Sequence, residues 1–139
     1  MNCVIFRVDG VPVAQGRPRM NTKTRSVYDP VKSEAYKHSV GLAARIAMSD
    51  KAPLEGAVAM FLTINREIPS SWSKKKRKEA VEGAILPKTK PDISNYLKGI
   101  EDALNGICYL DDSQIVACWV EKRYSEHPGV EIIINQIKG

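Results

Sequence analysis

The 139-residue chain predicts an α+β fold, a two-layer sandwich in which a mixed, mostly antiparallel sheet carries helices on one face. Three observations predict it. Short β-branched runs, CVIFRV, AVAMFLTIN, QIVACWVEKRY and VEIIINQI, occur near both ends and in the middle of the chain. Three other segments repeat their apolar residues at helical spacing. The length and a hydrophobic fraction of 43% suit one core, so a single domain over residues 1–139 is expected, with no repeats and no low-complexity segment.

CVIFRV reads as the first strand, and a turn at Asp9-Gly10 leads to a second short extended piece, VPVAQ. GRPRMNTKTRSVYDP is polar and broken by two prolines, so it reads as a loop or loose ribbon. From about Lys32 to Met48, Ala35, Val40, Leu42, Ala43, Ile46 and Ala47 fall at helical spacing. APLEG is a break, and AVAMFLTIN is apolar enough for a buried strand. Ser71 or Ser73 is a candidate cap for a second helix ending near Gly83. ILPKTKP is an extended linker. Asp92 to Asn105 is helical, with Gly106 as its stop. QIVACWVEKRY, a turn at His127-Pro128-Gly129 and VEIIINQI read as a final antiparallel hairpin.

Composition excludes several classes. No apolar run approaches the roughly 20 residues of a membrane helix, and the N-terminus does not read as a signal peptide. Cys3, Cys108 and Cys118 show no metal spacing, so free thiols in a reducing cytoplasm are expected and zinc is not. The net charge of +5 suits a polyanionic partner. Two clusters carry it. One holds Arg17, Arg19, Lys23 and Arg25; the other, SKKKRK, includes Lys74, Lys75, Lys76 and Arg77. Each alone reads equally as a solvated surface, but two in one small domain favour phosphate contact. Trp72 borders the second cluster, where core packing is favoured over base stacking.

Lys90 to Val116, KPDISNYLKGIEDALNGICYLDDSQIV, collects acids in this basic chain. Asp92 follows a proline and precedes a helical pattern, a good N-cap position. Distances suggest more. A helix from Asp92 to Asn105 advances roughly 20 Å, and the seven steps back to Asp112 can cover roughly 23 Å. Asp111 and Asp112 can therefore return beside the helix start. Carboxylates that meet without a cation repel, so a metal is implied. Oxygen-only ligands suit Mg²⁺ or Mn²⁺. Asn95, Lys98 and Asp102 share one helical face, opposite Leu97, Ile100 and Leu104. Lys98 and Asp102 read equally as an exposed ion pair or as a phosphate-directed lysine with its neighbour.

With these residues the chain resembles the RusA-type Holliday junction resolvases, a family of phage and prophage origin. That pattern runs approximately K/R-P/R-D-x-D-N-L-x-K-x-x-x-D-A-L-N-G, then D-D-x-Q-I/V. Here it is matched by KPDISNYLKGIEDALNG and DDSQIV. The upstream GRPRMNTKTRSVYDP is similar to the family's basic N-terminal segment, so the resemblance covers most of the chain. It implies that Asp92 is a metal-binding acid, Lys98 the catalytic lysine and Asp112 a third required acid. Asp102 and Asp111 match further acidic positions. One position departs: the family's second acid is Ser94 here. That removes a charge and a potential metal ligand, although Ser94 still offers a neutral oxygen and Asp111 or a water can complete the shell.

The resemblance further implies a homodimer acting on branched double-stranded DNA, with two sites for two opposed strands of a four-way junction. Each site would use Mg²⁺-activated water, with Mn²⁺ as a substitute, to leave a 5′-phosphate and a 3′-hydroxyl. The basic loop and KKKRK would hold the DNA backbone. Two other classes stay open. One is a catalytically weakened junction-binding module, because of Ser94. The other is a general nuclease or single-strand binder, against which the scarcity of aromatic residues argues.

Overall fold

The computed structural model describes residues 2–15 and 30–138. Its elements are β1 (Cys3–Asp9), α1 (Pro30–Met48), β2 (Val58–Glu67), α2 (Lys74–Val81), α3 (Ile93–Leu104), β3 (Ile115–Ser125) and β4 (Gly129–Gln136), with a short 3-10 turn, Asp112–Gln114, before β3. The sheet order is β1-β4-β2-β3. β4 pairs antiparallel with both β1 and β2, whereas β2 and β3 are parallel. The architecture is α+β with a mixed, mostly antiparallel sheet, as predicted.

β2 forms the centre of the core. Its Val58, Met60, Leu62 and Ile64 alternate along the strand and are each at most 1% exposed. They join Val130, Ile132 and Ile134 of β4, Val40 and Ala44 of α1, and Ile100 and Leu104 of α3 in one buried cluster. Each of the Val, Leu, Ile and Met side chains contributes about 1.5–3 kcal/mol by leaving water. α1 packs on β1 and α3, while α2 and α3 pack on β3.

The local signals behind these elements are visible. Ser73 caps α2 by accepting from the Lys76 N–H at 3.2 Å. Gly83 lies beyond the end of α2 at φ +84 and Gly106 beyond α3 at φ +78, a conformation that favours glycine.

The predicted final hairpin is corrected. β3 and β4 do not pair, because β2 lies between them. The His127-Pro128-Gly129 signal reverses the chain but does not select the pairing partner. The nearly continuous apolar run of β2 needs neighbours on both edges, and it takes the central place. A Cβ on Gly129 would stand 2.7 Å from the Val8 carbonyl oxygen, so the start of β4 is pressed against the end of β1. Residues 11–15 form no strand. They run along α3, with the Gln15 N–H donating to the Asn95 carbonyl at 3.1 Å. Gly99 permits this approach, since a Cβ there would meet Gln15 Cβ at 3.4 Å.

Candidate active site

Asp92 occupies the N-cap position of α3, at φ −71 and ψ 155, but its carboxylate makes no capping hydrogen bond. The acid is exposed and stays available. The segment before it is fixed from the sheet. Arg66 of β2 donates through Nη1 to the Thr89 carbonyl at 3.0 Å and to Thr89 Oγ1 at 3.3 Å. Lys122 of β3 donates through Nζ to the same carbonyl at 3.0 Å and to the Pro91 carbonyl at 3.1 Å. Burial and, next, the Arg66 charge lower the pKa of Lys122, while Asp92 opposes them. Asp92 therefore lies in the field of Lys122. Ser94 is exposed two residues on, and the first turn of α3 contains no acid.

The other end of α3 is built from neutral hydrogen bonds. Buried Tyr109 donates its hydroxyl to the Glu101 carbonyl at 2.9 Å, which ties the returning chain to the helix. Burial holds that phenol protonated by raising its pKa. Gln114 completes the loop. Its Oε1 accepts from Leu110 N at 2.8 Å and Asp111 N at 3.0 Å, and its Nε2 donates to the Leu54 and Gly56 carbonyls at 2.9 Å. One amide thus uses two acceptor and two donor sites together. Asp111 is committed locally: it accepts from Ser113 N at 2.9 Å as cap of the 3-10 turn. Those hydrogen bonds with Ser113 lower its pKa. Asp112 points its charge at a different neighbour. It raises the pKa of Glu101, second only to burial, and Asp102 adds to the same effect while Lys98 opposes it.

Asp112 lies in the field of Glu101, nine residues and roughly 13 Å of helical rise beyond Asp92, whereas Asp92 lies in the field of Lys122. Among the described residues no group of three His, Cys, Asp or Glu side chains could hold a metal ion. Lys98 and Asp102 do meet, at 3.8 Å, with Lys98 59% exposed. Such an exposed i,i+4 pair contributes a few tenths of a kcal/mol. Asn95 sits on the same helix, with its carbonyl held by Gln15. Arg17, Arg19, Lys23 and Arg25 lie outside the described residues.

The family model described as "Endodeoxyribonuclease RusA" matches residues 9–135. The chain belongs to the RusA endodeoxyribonuclease family. A relative in Bacillus subtilis (strain 168), "Uncharacterized protein YqaN", is 44% identical over 141 residues, covering 99% of each protein. The RusA family implies a nuclease acting on DNA junctions, generally dependent on a divalent metal.

In this RusA chain α2 lies at the Tyr124 end of β3. Trp72 packs edge-on against Tyr124, with ring centroids 5.1 Å apart, and Lys76 Nζ sits 4.1 Å over the Trp72 ring. Trp72 is half-buried and lies outside the core cluster, so it packs at the surface against Tyr124 and Lys76. Lys74 and Lys75 remain exposed. Arg77 is held by the Pro69 carbonyl at 3.2 Å.

Sequence reasoning missed five residues around the candidate site: Arg66, Glu101, Tyr109, Gln114 and Lys122. For Glu101 a signal existed, since it lies three residues from Lys98 and beside Asp102. Gln114 stood inside the quoted motif without a role. Arg66 and Lys122 gave no signal, because their partners are carbonyls 23 to 33 residues away.

Proposed function

We propose that this RusA chain is a Mg²⁺-dependent, structure-specific endodeoxyribonuclease that resolves four-way DNA junctions by paired nicks. We further propose that it works as a homodimer, each metal site taking Asp92 from one copy and Asp112 from the other. What supports this reading is that Asp92 begins α3 in the field of Lys122, that Asp112 lies in the field of Glu101 toward the other end of that helix, and that β3 leaves a free sheet edge.

β3 is the last strand of the sheet, and its outer edge pairs with no described strand. Residues 116–119 are all exposed, with Val116 and Trp119 each at 64%. A long apolar edge is a template for a further strand. A twofold partner would pair antiparallel, so paired residue numbers keep a constant sum. With Val116 opposite the partner's Cys118, Ile115 falls opposite the partner's Trp119 and Asp112, three residues before β3, lies toward the partner's Lys122. The ammonium of Lys122 contacts Pro91 just before Asp92. Pairing through the exposed stretch thus carries Asp112 of one copy to Asp92 of the other, twice, by symmetry.

The donor set suits Mg²⁺, with Mn²⁺ as a substitute, because all candidate groups are oxygens. A divalent ion held there would supply an activated water and offset charge on the phosphate. Asp92 and Asp112 would hold it. Asp111 would support the loop through its cap. Lys98, weakly paired to Asp102, would turn its ammonium to the phosphate. Lys74, Lys75, Lys76 and Arg77 would meet the DNA backbone from α2, with Arg17, Arg19, Lys23 and Arg25 as further contacts. One domain over residues 1–139 would carry all of this in the cytoplasm, where exposed Cys3 and Cys118 stay reduced.

A second reading is favoured by one specific residue. Ser94 leaves the first turn of α3 without an acid, which fits a junction-binding module with weakened cutting. A labelled synthetic four-way junction separates the two. The nuclease gives symmetrical paired nicks with Mg²⁺ or Mn²⁺ and binding alone in EDTA. Tight binding without nicks in either metal selects the module. Absence of both rejects the proposal.

A further inference from the structure

We infer that Lys122, backed by Arg66, is a positioning residue for Asp92: the two side chains converge on Thr89 and fix the backbone that presents the carboxylate. The inference rests on the proposed metal role of Asp92 and assigns it a support on the sheet.

Two cations from neighbouring strands meet at one neutral carbonyl, that of Thr89. Among the described residues neither comes within 4.0 Å of a carboxylate. For stability alone this is a poor arrangement. Like charges repel, and a neutral amide would bind the same carbonyl without that cost. Lys122 donates to main-chain oxygens on either side of Lys90, ending one residue before Asp92. The acid whose field reaches Lys122 is Asp92 itself. Asp92 makes no local cap bond, so the helix start does not orient it. The clamp supplies what the cap does not. It also places positive charge beside Asp92, where a second carboxylate arriving from the partner would otherwise be repelled.

The test uses Lys122→Met and Lys122→Arg in the full chain, with Mn²⁺ as the metal probe, measured by electron paramagnetic resonance without DNA. Loss of a group supporting a metal ligand typically weakens metal affinity about 10–100-fold, the expected result for Lys122→Met. Lys122→Arg keeps the charge and donors and should recover most of it. Junction affinity in EDTA should change less than about twofold, since a single phosphate contact would cost more. Wild-type Mn²⁺ affinity in Lys122→Met overturns the inference. So does a large loss of junction affinity in EDTA with Mn²⁺ binding intact, which would make Lys122 a phosphate contact. Hydrogen exchange at the Asn95 and Tyr96 amides, both bonded to the Asp92 carbonyl, provides a separate readout. Faster exchange there in Lys122→Met, with α1 unchanged, supports the clamp, and unchanged exchange overturns it. If Asp92→Asn leaves Mn²⁺ binding untouched, the metal reading fails, and the exchange measurement alone then decides the role of Lys122.

Discussion

The two ends of α3 hold their acids by opposite means. At the N-terminal end, charged side chains grip main-chain carbonyls, and the carboxylate of Asp92 is left uncapped. At the C-terminal end, neutral groups do the holding: Tyr109 ties to Glu101, and Gln114 joins four backbone groups. There Asp111 caps its own turn and Asp112 faces Glu101. The difference teaches that the motif has two separately supported ends. On the proposed reading each end is a half-site, and a second chain would join them.

The largest expected effect comes from breaking the neutral end. Gln114→Ala removes four hydrogen bonds and leaves the Leu54 and Gly56 carbonyls and two loop N–H groups without that partner. Allowing for replacement by water, the loss should be about 2–3 kcal/mol, read as a lower midpoint in urea unfolding. A loss below about 0.5 kcal/mol would mean that water replaces the amide fully.

A smaller effect is expected at the charged end. Ser94→Asp places an acid in the first turn of α3, which now has none. The helix dipole should return about 0.3–1 kcal/mol, measurable as a higher melting temperature. The added ligand charge should also lower the Mg²⁺ concentration for half-maximal junction cleavage, on the order of tenfold. Stabilisation without that shift would assign the missing ligand of the proposed metal site to a group other than position 94.

The smallest effect concerns Asp111, and its sign follows from the hydrogen bonds with Ser113 that lower its pKa. Its contribution to stability is present above its ordinary, unfolded pKa and is lost as pH falls through the lower folded value. Asp111→Ala should therefore differ from wild type in melting temperature at neutral pH, with the gap closing in acid. A gap that persists at the lowest pH would point to packing instead of the cap.

Much of this was legible in the sequence, and the failures have physical causes. β2 was readable because VAMFLTIN is apolar and β-branched. α3 was readable because Ile100 and Leu104 repeat at helical spacing before Gly106, and Ser73 announced its helix. The strand order was not readable. The turn before Gly129 resembles a hairpin turn locally, whereas the placement of β2 between β3 and β4 is decided by burial across the whole sheet. For the candidate site, Asp92, Lys98 and Asp112 stood out by spacing. The supports of the returning loop did not, because extended-chain reach sets only an upper bound on where a loop returns. Tyr109 ties that loop to Glu101, and Gln114 closes it on Leu54 and Gly56.

The central claim, a site shared between two copies, is tested most directly by a mixed dimer. Asp92→Asn and Asp112→Asn should each be inactive on a four-way junction as pure proteins. A co-expressed, doubly tagged heterodimer of the two concentrates both substitutions in one shared site and leaves the other intact. The account predicts that this heterodimer regains metal-dependent single nicks without paired resolution. If each site is instead built within one chain, both sites of the heterodimer carry a substitution, and an inactive heterodimer would contradict the account.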